Sequence, residues 1–299
     1  MTTWPAPLRR GDRVQLAAAS SALQADALER LQGGIALLES WGLQVDPHPE
    51  PLRQWGHLAG TDAERRADFN SHAPLVACLR GGWGSARLLE QPDLFHRGPA
   101  GQWLLGYSDV TSLLWARQAA GLLGGIHGPM LTGLAGEPSW SQERLRCLLF
   151  GEPLAPLAGS PWRSGIAEGP LLVGNLTVAT HLLGTAYLPD LRGAVLVLED
   201  IGEAPYRLDR MLTHWRLSGA LQQLAGIGFG SFSGCDDDEP AREGVAPPWQ
   251  AVLQERTADL GIPIVGDLPV GHEPGNAALA LGQRVRLDGT RGELVVVQA

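Results

Sequence analysis

Cysteine is scarce in this sequence. Cys78, Cys147 and Cys235 are the three in a chain of 299 residues, too far apart and odd in number for a disulfide framework or a paired-cysteine metal knuckle. That scarcity fits a reducing compartment. Positive charge is also in deficit: 23 Lys and Arg stand against 32 Asp and Glu, a formal net charge of −9 with a pI near 5.4. The cations are scattered instead of lying in a stripe, which argues against nucleic acid as a partner. No apolar run of about 18 residues escapes a charge, a polar cluster or a Pro/Gly break, so no membrane span is expected. The opening stretch MTTWPAPLRRGDRV lacks the apolar core of a secretory signal, and the expected location is the cytoplasm.

What is present is enough apolar material for real cores, 44% hydrophobic against 18% charged, in one large or two modest domains. From Arg13 to about Leu131 short apolar runs alternate with helical stretches, as in RVQLAAA followed by ALERLQGGIALLESWG. This is the pattern of βαβ units and a parallel sheet. Leu28, Leu31, Ile35 and Leu38 predict a helix over 27–41. Two further strand-to-helix junctions follow, one through RGGWG (Arg80 to Gly84) into SARLLEQ and one through YSD into VTSLLWARQAAGLL. Residues 151–169 are rich in Pro, Gly and Ser without apolar periodicity and read as a linker between domains 1–150 and 170–299. Beyond it the text turns to strands such as AVLVLED, GIGFGSFS, PIVGDLPVG and RVRLDG, with helices near 176–183, 206–221 and 249–260. The fold class is α/β: a parallel-sheet N-terminal domain and a mixed, strand-rich C-terminal one.

In an open α/β sheet, functional groups collect where strands end and helices begin, because helix N-termini present unpaired N–H groups. Ser108, in WLLGYSDVTSLL, sits at such a turn, and Gly106 relieves the tight approach. There it could serve as a nucleophile with the Asp109 N–H as oxyanion donor, although the GxSxG spacing is absent. On spacing alone a capping serine, or one beside a capping Asp109, is the simpler reading. RGGWG lacks a phosphate-loop pattern, so its glycines better supply a tight turn and a second oxyanion donor, assigned to Gly82.

Of eight histidines, His48, His57, His72, His96 and His214 lie in polar contexts where a solvated ring is the default, and His181 falls in an apolar helix as a core residue. His127 in GIHGPM and His272 in PVGHEPGN each follow an apolar run and are flanked by Gly and Pro, as loop-borne site residues often are. Spacing does not rank them. A carboxylate at the end of the buried strand AVLVLED needs a partner, and Glu199 and Asp200 compete for that place. The cluster CDDDE (Cys235 to Glu239) lacks the spacing of a calcium loop and reads as a solvated surface, so no metal is expected.

Taken together, LAGTDAERRADFN, RGGWGSARLL, GYSDVTSLL, IHGPM, VGNLTVATHLLGT, LEDIGEAPYRLDRML and LPVGHEPGNAALALG resemble the LD-carboxypeptidase family in collinear order over roughly residues 8 to 298. That family comprises murein tetrapeptide carboxypeptidases and microcin self-immunity proteins. The resemblance implies a flavodoxin-like N-terminal domain joined to a β-rich C-terminal α/β domain. It implies a catalytic triad of Ser108, Glu199 and His272, with the serine on the first domain and its partners on the second. It further implies a cytoplasmic, homodimeric enzyme without cofactor that takes a small peptide, the murein tetrapeptide, and releases its terminal D-Ala in peptidoglycan recycling. Arg80 is a candidate for the substrate carboxylate. Trp83, where the family more often has Tyr, is a candidate lining of the substrate groove. An immunity-type activity on peptidyl nucleotides, for which Trp162 would be a lid aromatic, and a non-catalytic peptide-binding role are the alternative readings.

Overall fold

The computed structural model describes residues 3–91, 101–236 and 248–297. His96 and residues 237–239 of the acidic cluster lie outside them. The chain divides into two units, one of Met1–Leu154 with Ala186–Pro189 and Pro274–Leu281, the other of Ala155–Thr185, Asp190–Glu273 and Gly282–Ala299.

In the first unit the elements run β1 (Arg13–Ala17), α1 (Leu28–Ser40), β2 (Gln44–Asp46), α2 (Asp62–Ala67), β3 (Leu75–Cys78), β4 (Trp103–Gly106), α3 (Thr111–Ala119), β5 (Gly125–His127), α4 (Leu131–Leu134) and α5 (Ser139–Phe150). The strands lie side by side as β5-β4-β3-β1-β2, all parallel, and the strand Leu279–Ala280 pairs antiparallel with β5 at the edge. The order 2-1-3-4-5 is the doubly wound, flavodoxin-like arrangement, in which ligands bind at the carboxyl ends of the strands near the β1/β3 switch point. β3 and β4 are buried along their whole length, as parallel strands covered on both faces must be, and so read as unbroken apolar text. SARLLEQ, expected to be helical, forms a 3-10 turn over Ser85–Glu90.

The second unit contains β6 (Leu157–Ala158), β7 (Ser160–Arg163), β8 (Ile166–Asn175), α6 (Leu176–Leu182), β9 (Val195–Ile201), α7 (Pro205–Leu217), β10 (Gly226–Ser233), α8 (Trp249–Thr257), β11 (Ile264–Gly266), β13 (Arg284–Asp288) and β14 (Glu293–Val296), and the Leu279–Ala280 strand of the first unit, between β11 and β13 in the chain, is β12. Its sheet has the order β6-β14-β13-β8-β9-β10-β11-β7. The central β8, β9, β10 and β11 are parallel and the flanking strands antiparallel.

The stretch 151–169, read above as a linker, is largely strand: β6, β7 and the start of β8 all fall within it. β6 and β7 are the two edge strands of the sheet. Edges tolerate Pro and Gly, which leave no apolar alternation to read.

Candidate active site

β4 ends at Gly106, and the chain must reverse into α3 within four residues. Ser108–Val110 make one 3-10 turn, and Ser108 takes φ +59°. Such a left-handed backbone costs a non-glycine residue on the order of 1–3 kcal/mol and persists only where the surroundings enforce it. Here the enforcement comes from the neighbouring side chain. Asp109 is buried, and its Oδ2 accepts hydrogen bonds from Ser20 Oγ at 2.6 Å and from the Ser85 N–H at 2.8 Å, while Ser85 Oγ donates to the Asp109 carbonyl at 2.6 Å. Three loops, those following β1, β3 and β4, are thereby tied together at the carboxyl edge of the sheet. Burial raises the Asp109 pKa, and the hydrogen bonds from Ser20, Ser85 and Gly84 oppose that shift.

A second tie comes from α2. Thr61 and Glu64 form a reciprocal capping box, which fixes where the helix starts. Arg65, with no solvent exposure, donates to the carbonyls of Ala19 and Gly84 and pairs with Asp62. Asp68 accepts from the Ala18 N–H at 2.9 Å and pairs with Arg53 and His48. His48 is thus a buried structural residue, not the solvated ring expected from its polar flanks.

The glycine turn after β3 closes on the serine. A Cβ on Gly81 would stand 3.1 Å from both Cβ and Oγ of Ser108, so a side chain at this position would press on the hydroxyl. Gly82, at φ +111°, abuts Ser21 instead: a Cβ there would lie 2.3 Å from Ser21 Oγ. Ser21 Oγ accepts the Trp83 N–H at 3.0 Å, and the Trp83 side chain is exposed. Arg80 donates through Nη1 to the Ala22 carbonyl at 3.1 Å.

In the second unit, Glu199 lies on β9 with no solvent exposure, and its Oε2 accepts from Nδ1 of His272 at 2.7 Å. Because the carboxylate can only accept, Nδ1 carries the proton and Nε2 is left to take one. Gly271, at φ +131°, permits the approach: a Cβ there would meet Ser231 Oγ at 2.3 Å and Glu199 Oε2 at 3.0 Å. The His272 backbone N–H donates to the same Ser231 Oγ at 3.1 Å. Burial works against the imidazolium, but the hydrogen bond and charge of Glu199, with the charge of Asp200, outweigh it and raise the His272 pKa above 6.5.

Asp200 points to the other face of β9, as adjacent strand residues must. Its carboxylate accepts from Asn175 Nδ2, the Thr177 N–H and hydroxyl, and the Ile201 N–H at 2.8–2.9 Å. It braces the start of α6, and its pKa is pushed up to about 6, first by burial and then by the Glu199 charge.

The LD-carboxypeptidase N-terminal domain model matches residues 14–128, and the C-terminal domain model matches residues 168–287. This chain belongs to the LD-carboxypeptidase family. A relative from Synechocystis is 47% identical over 301 residues, covering 97% of this chain and 96% of its own. The murein tetrapeptide carboxypeptidase of Pseudomonas aeruginosa is 35% identical over 302 residues, covering 93% and 94%. Among solved structures, muramoyltetrapeptide carboxypeptidase from Oxalobacter formigenes superposes with a TM-score of 0.82 at 26% identity, covering 94% of this chain and 97% of that one. The microcin C7 self-immunity protein in complex with glutamyl sulfamoyl guanosine gives 0.85 at 21% identity, covering 99% and 98%, a likeness of fold.

Within this LD-carboxypeptidase family member the other candidate residues have structural places. His127 pairs in register with Gly106, close to the serine, but its ring is fully buried and edge-on to Tyr107 at 5.7 Å. His181, expected in the core, is exposed on α6, because α6 buries Leu176, Ala179 and Leu182 on its opposite side. Trp162 packs on Gly266 and against Phe229, ring centroids 5.5 Å apart, within its own sheet, which leaves it no part as a lid. Glu143, Cys147 and Glu152 gather on the surface of the first unit, where Arg146 pairs with both carboxylates. Sequence reading missed Ser20, Ser85, Arg65, Gly81 and Ser231. Only their position beside the recognised motifs could have signalled them. No helix among the described residues is long and apolar enough to cross a membrane.

Proposed function

We infer that this protein is a serine LD-carboxypeptidase of the cytoplasm that releases the terminal D-Ala from murein tetrapeptides, cutting the amide that follows the L-centre of meso-diaminopimelate during peptidoglycan recycling. The observation that carries the reading is the strained φ of Ser108, +59° at a strand-to-helix turn, the backbone form of a nucleophile elbow. The Glu199–His272 hydrogen bond at 2.7 Å supports it, since a serine hydroxyl needs a base whose tautomer is fixed. The names of the relatives from Pseudomonas aeruginosa and Oxalobacter formigenes supply the substrate class.

In this mechanism Nε2 of His272 takes the Ser108 proton as Oγ attacks the amide carbonyl. Glu199 stabilises the imidazolium, and the N–H groups of Asp109 and Gly82 hold the oxyanion, each worth about 10²–10³ in rate. His272 then protonates the departing amine of D-Ala, and water, activated by the same imidazole, hydrolyses the acyl-enzyme. These groups suffice for acyl transfer, so the route calls on no metal or organic cofactor. Arg80 is the proposed partner of the substrate carboxylate and Trp83 a wall of its groove, and a homodimer is the proposed assembly.

The test is a side-by-side assay of the purified protein on murein tetrapeptide, pentapeptide and an aminoacyl sulfamoyl adenylate, with D-Ala release followed by mass spectrometry. Release from the tetrapeptide, lost in Ser108→Ala, is the expected result. Turnover of the adenylate alone would move the protein to the immunity activity.

A further inference from the structure

Within the first unit, β12 enters the sheet from the edge at which Ser108 stands. Its pairing with β5 is antiparallel with Leu279 opposite His127, and His127 is in turn opposite Gly106, two residues before the serine. Residues 274–278, which precede β12, therefore lie at the carboxyl edge of β4 and β5. The chain joins this unit at Pro274, two residues beyond His272. Glu273 and Pro274 are exposed, and Gly275 is the first residue after His272 to be buried.

Gly275 and Asn276 precede the strand pairing, and a buried N–H needs an acceptor. One carboxylate oxygen serves both: Glu137 Oε2 accepts from the Gly275 N–H at 2.7 Å and from the Asn276 N–H at 3.1 Å. Successive N–H groups converging on an anion form a backbone concavity, and such charge-assisted bonds are roughly twice as strong as neutral ones. Glu137 is itself held, its carbonyl accepting from Gln142 Nε2 at 2.8 Å. The buried face of α5 adds two bonds. Ser141 Oγ donates to the Asn276 carbonyl at 2.7 Å, and Arg144 Nε to the Ala278 carbonyl at 3.0 Å. Gly275 takes φ +102°, and a Cβ there would lie 2.7 Å from Trp140 Cζ2, so glycine lets the backbone reach the carboxylate.

We propose that Glu137 is a positioning residue for the base: its carboxylate clasps the backbone just past His272 onto the sheet that carries the nucleophile. Without the clasp, the first backbone tie on that sheet would be β12 at Leu279, seven residues past His272. Seven residues can span about 24 Å and three about 10 Å, so the bond to Gly275 narrows the space open to the imidazole on the side of Ser108. The role rests on the triad inferred above.

The test compares Glu137→Ala and Glu137→Gln with the unaltered protein for D-Ala release from murein tetrapeptide, and titrates the His272 ring of each by NMR. Glu137→Ala should lower kcat by about 10²-fold, the effect of misplacing a reacting group by about 1 Å, with KM nearly unchanged. The His272 titration should stay where it is, because Glu199 still holds the ring. Glu137→Gln keeps an oxygen in place and should recover most of the rate. Ser141→Ala removes the bond on the other side of Asn276; it should show a smaller loss of the same kind, and it carries the comparison if Glu137→Ala does not fold. A lowered melting temperature in Glu137→Ala with kcat unchanged would show a purely structural role and overturn the proposal, as would a fall in kcat that Glu137→Gln does not recover. An active protein indifferent to Glu137 leaves the triad standing and removes the clasp alone. If the unaltered protein releases no D-Ala, the triad falls and Glu137 loses this role with it.

Discussion

His272 and Glu199 are joined through Nδ1 and Oε2 at 2.7 Å although 73 residues separate them in the chain. The contact fixes the imidazole tautomer, with the proton on Nδ1. Replacing the carboxylate with an amide keeps the shape and loses that control. Glu199→Gln is expected to lower kcat for D-Ala release by roughly 10³–10⁴, with the melting temperature moving little by comparison.

The same pair sets a pH dependence. His272 must be neutral to accept a proton, and its pKa is held above 6.5, so the acid limb of kcat/KM should have its midpoint above that value. In Glu199→Gln the limb should move to lower pH, and direct titration of the His272 ring by NMR should show the same direction. Because the folded state binds this proton more tightly than the unfolded one, the pair contributes its full stability below about pH 6.5 and loses it as pH rises through the raised pKa.

Asp200 gives a separate stability signature. Its pKa is about 6 in the folded chain against an ordinary 3.8. Folding therefore favours the protonated acid, and stability drains as pH rises from about 4 through about 6. Between these limits the unfolding free energy of the native protein should fall by about 3 kcal/mol relative to Asp200→Asn. Urea titrations of both proteins at a series of pH values check this, and a constant difference would contradict it.

Gly271 gives the histidine loop its close approach to Ser231 and Glu199. An alanine Cβ would lie 2.3 Å from Ser231 Oγ and 3.0 Å from Glu199 Oε2 in a backbone held at φ +131°. Gly271→Ala should destabilise the fold by about 1–3 kcal/mol and, by moving His272 off Glu199, cost more than about tenfold in kcat. Thermal melts and steady-state kinetics on the one variant test both parts.

The backbone of Ser108 predicts a comparison between two inactive proteins. At φ +59° an alanine suffers the left-handed penalty and a glycine does not, so Ser108→Gly should be more stable than Ser108→Ala by about 1 kcal/mol. Equal denaturation midpoints would show that the turn relaxes when the hydroxyl is gone.

Much of this was legible in the text of the chain. β3 and β4 read as strands because strands covered on both faces are apolar throughout. α1 was readable from Leu28, Leu31, Ile35 and Leu38, three and four residues apart on one side of a helix. Residues 151–169 misled, since Pro and Gly at sheet edges look like a linker when no partner strand is known. His48 and His181 misled in opposite directions, because each ring's burial depends on what packs across from it: Asp68 and Arg53 for one, solvent for the other.

The sequence by itself determined the local text: a serine between an apolar strand and a helix, glycines before it, a carboxylate closing a buried strand, a histidine after Gly271. Each is a matter of one residue and its near neighbours. Only the tertiary structure shows the partners of the two adjacent acids, because strand alternation sends Glu199 toward His272 and Asp200 toward Asn175 and Thr177. Only it disclosed the bolt formed by Asp109, Ser20 and Ser85, since hydrogen bonds between loops 24 and 89 residues apart leave no periodic trace in the chain.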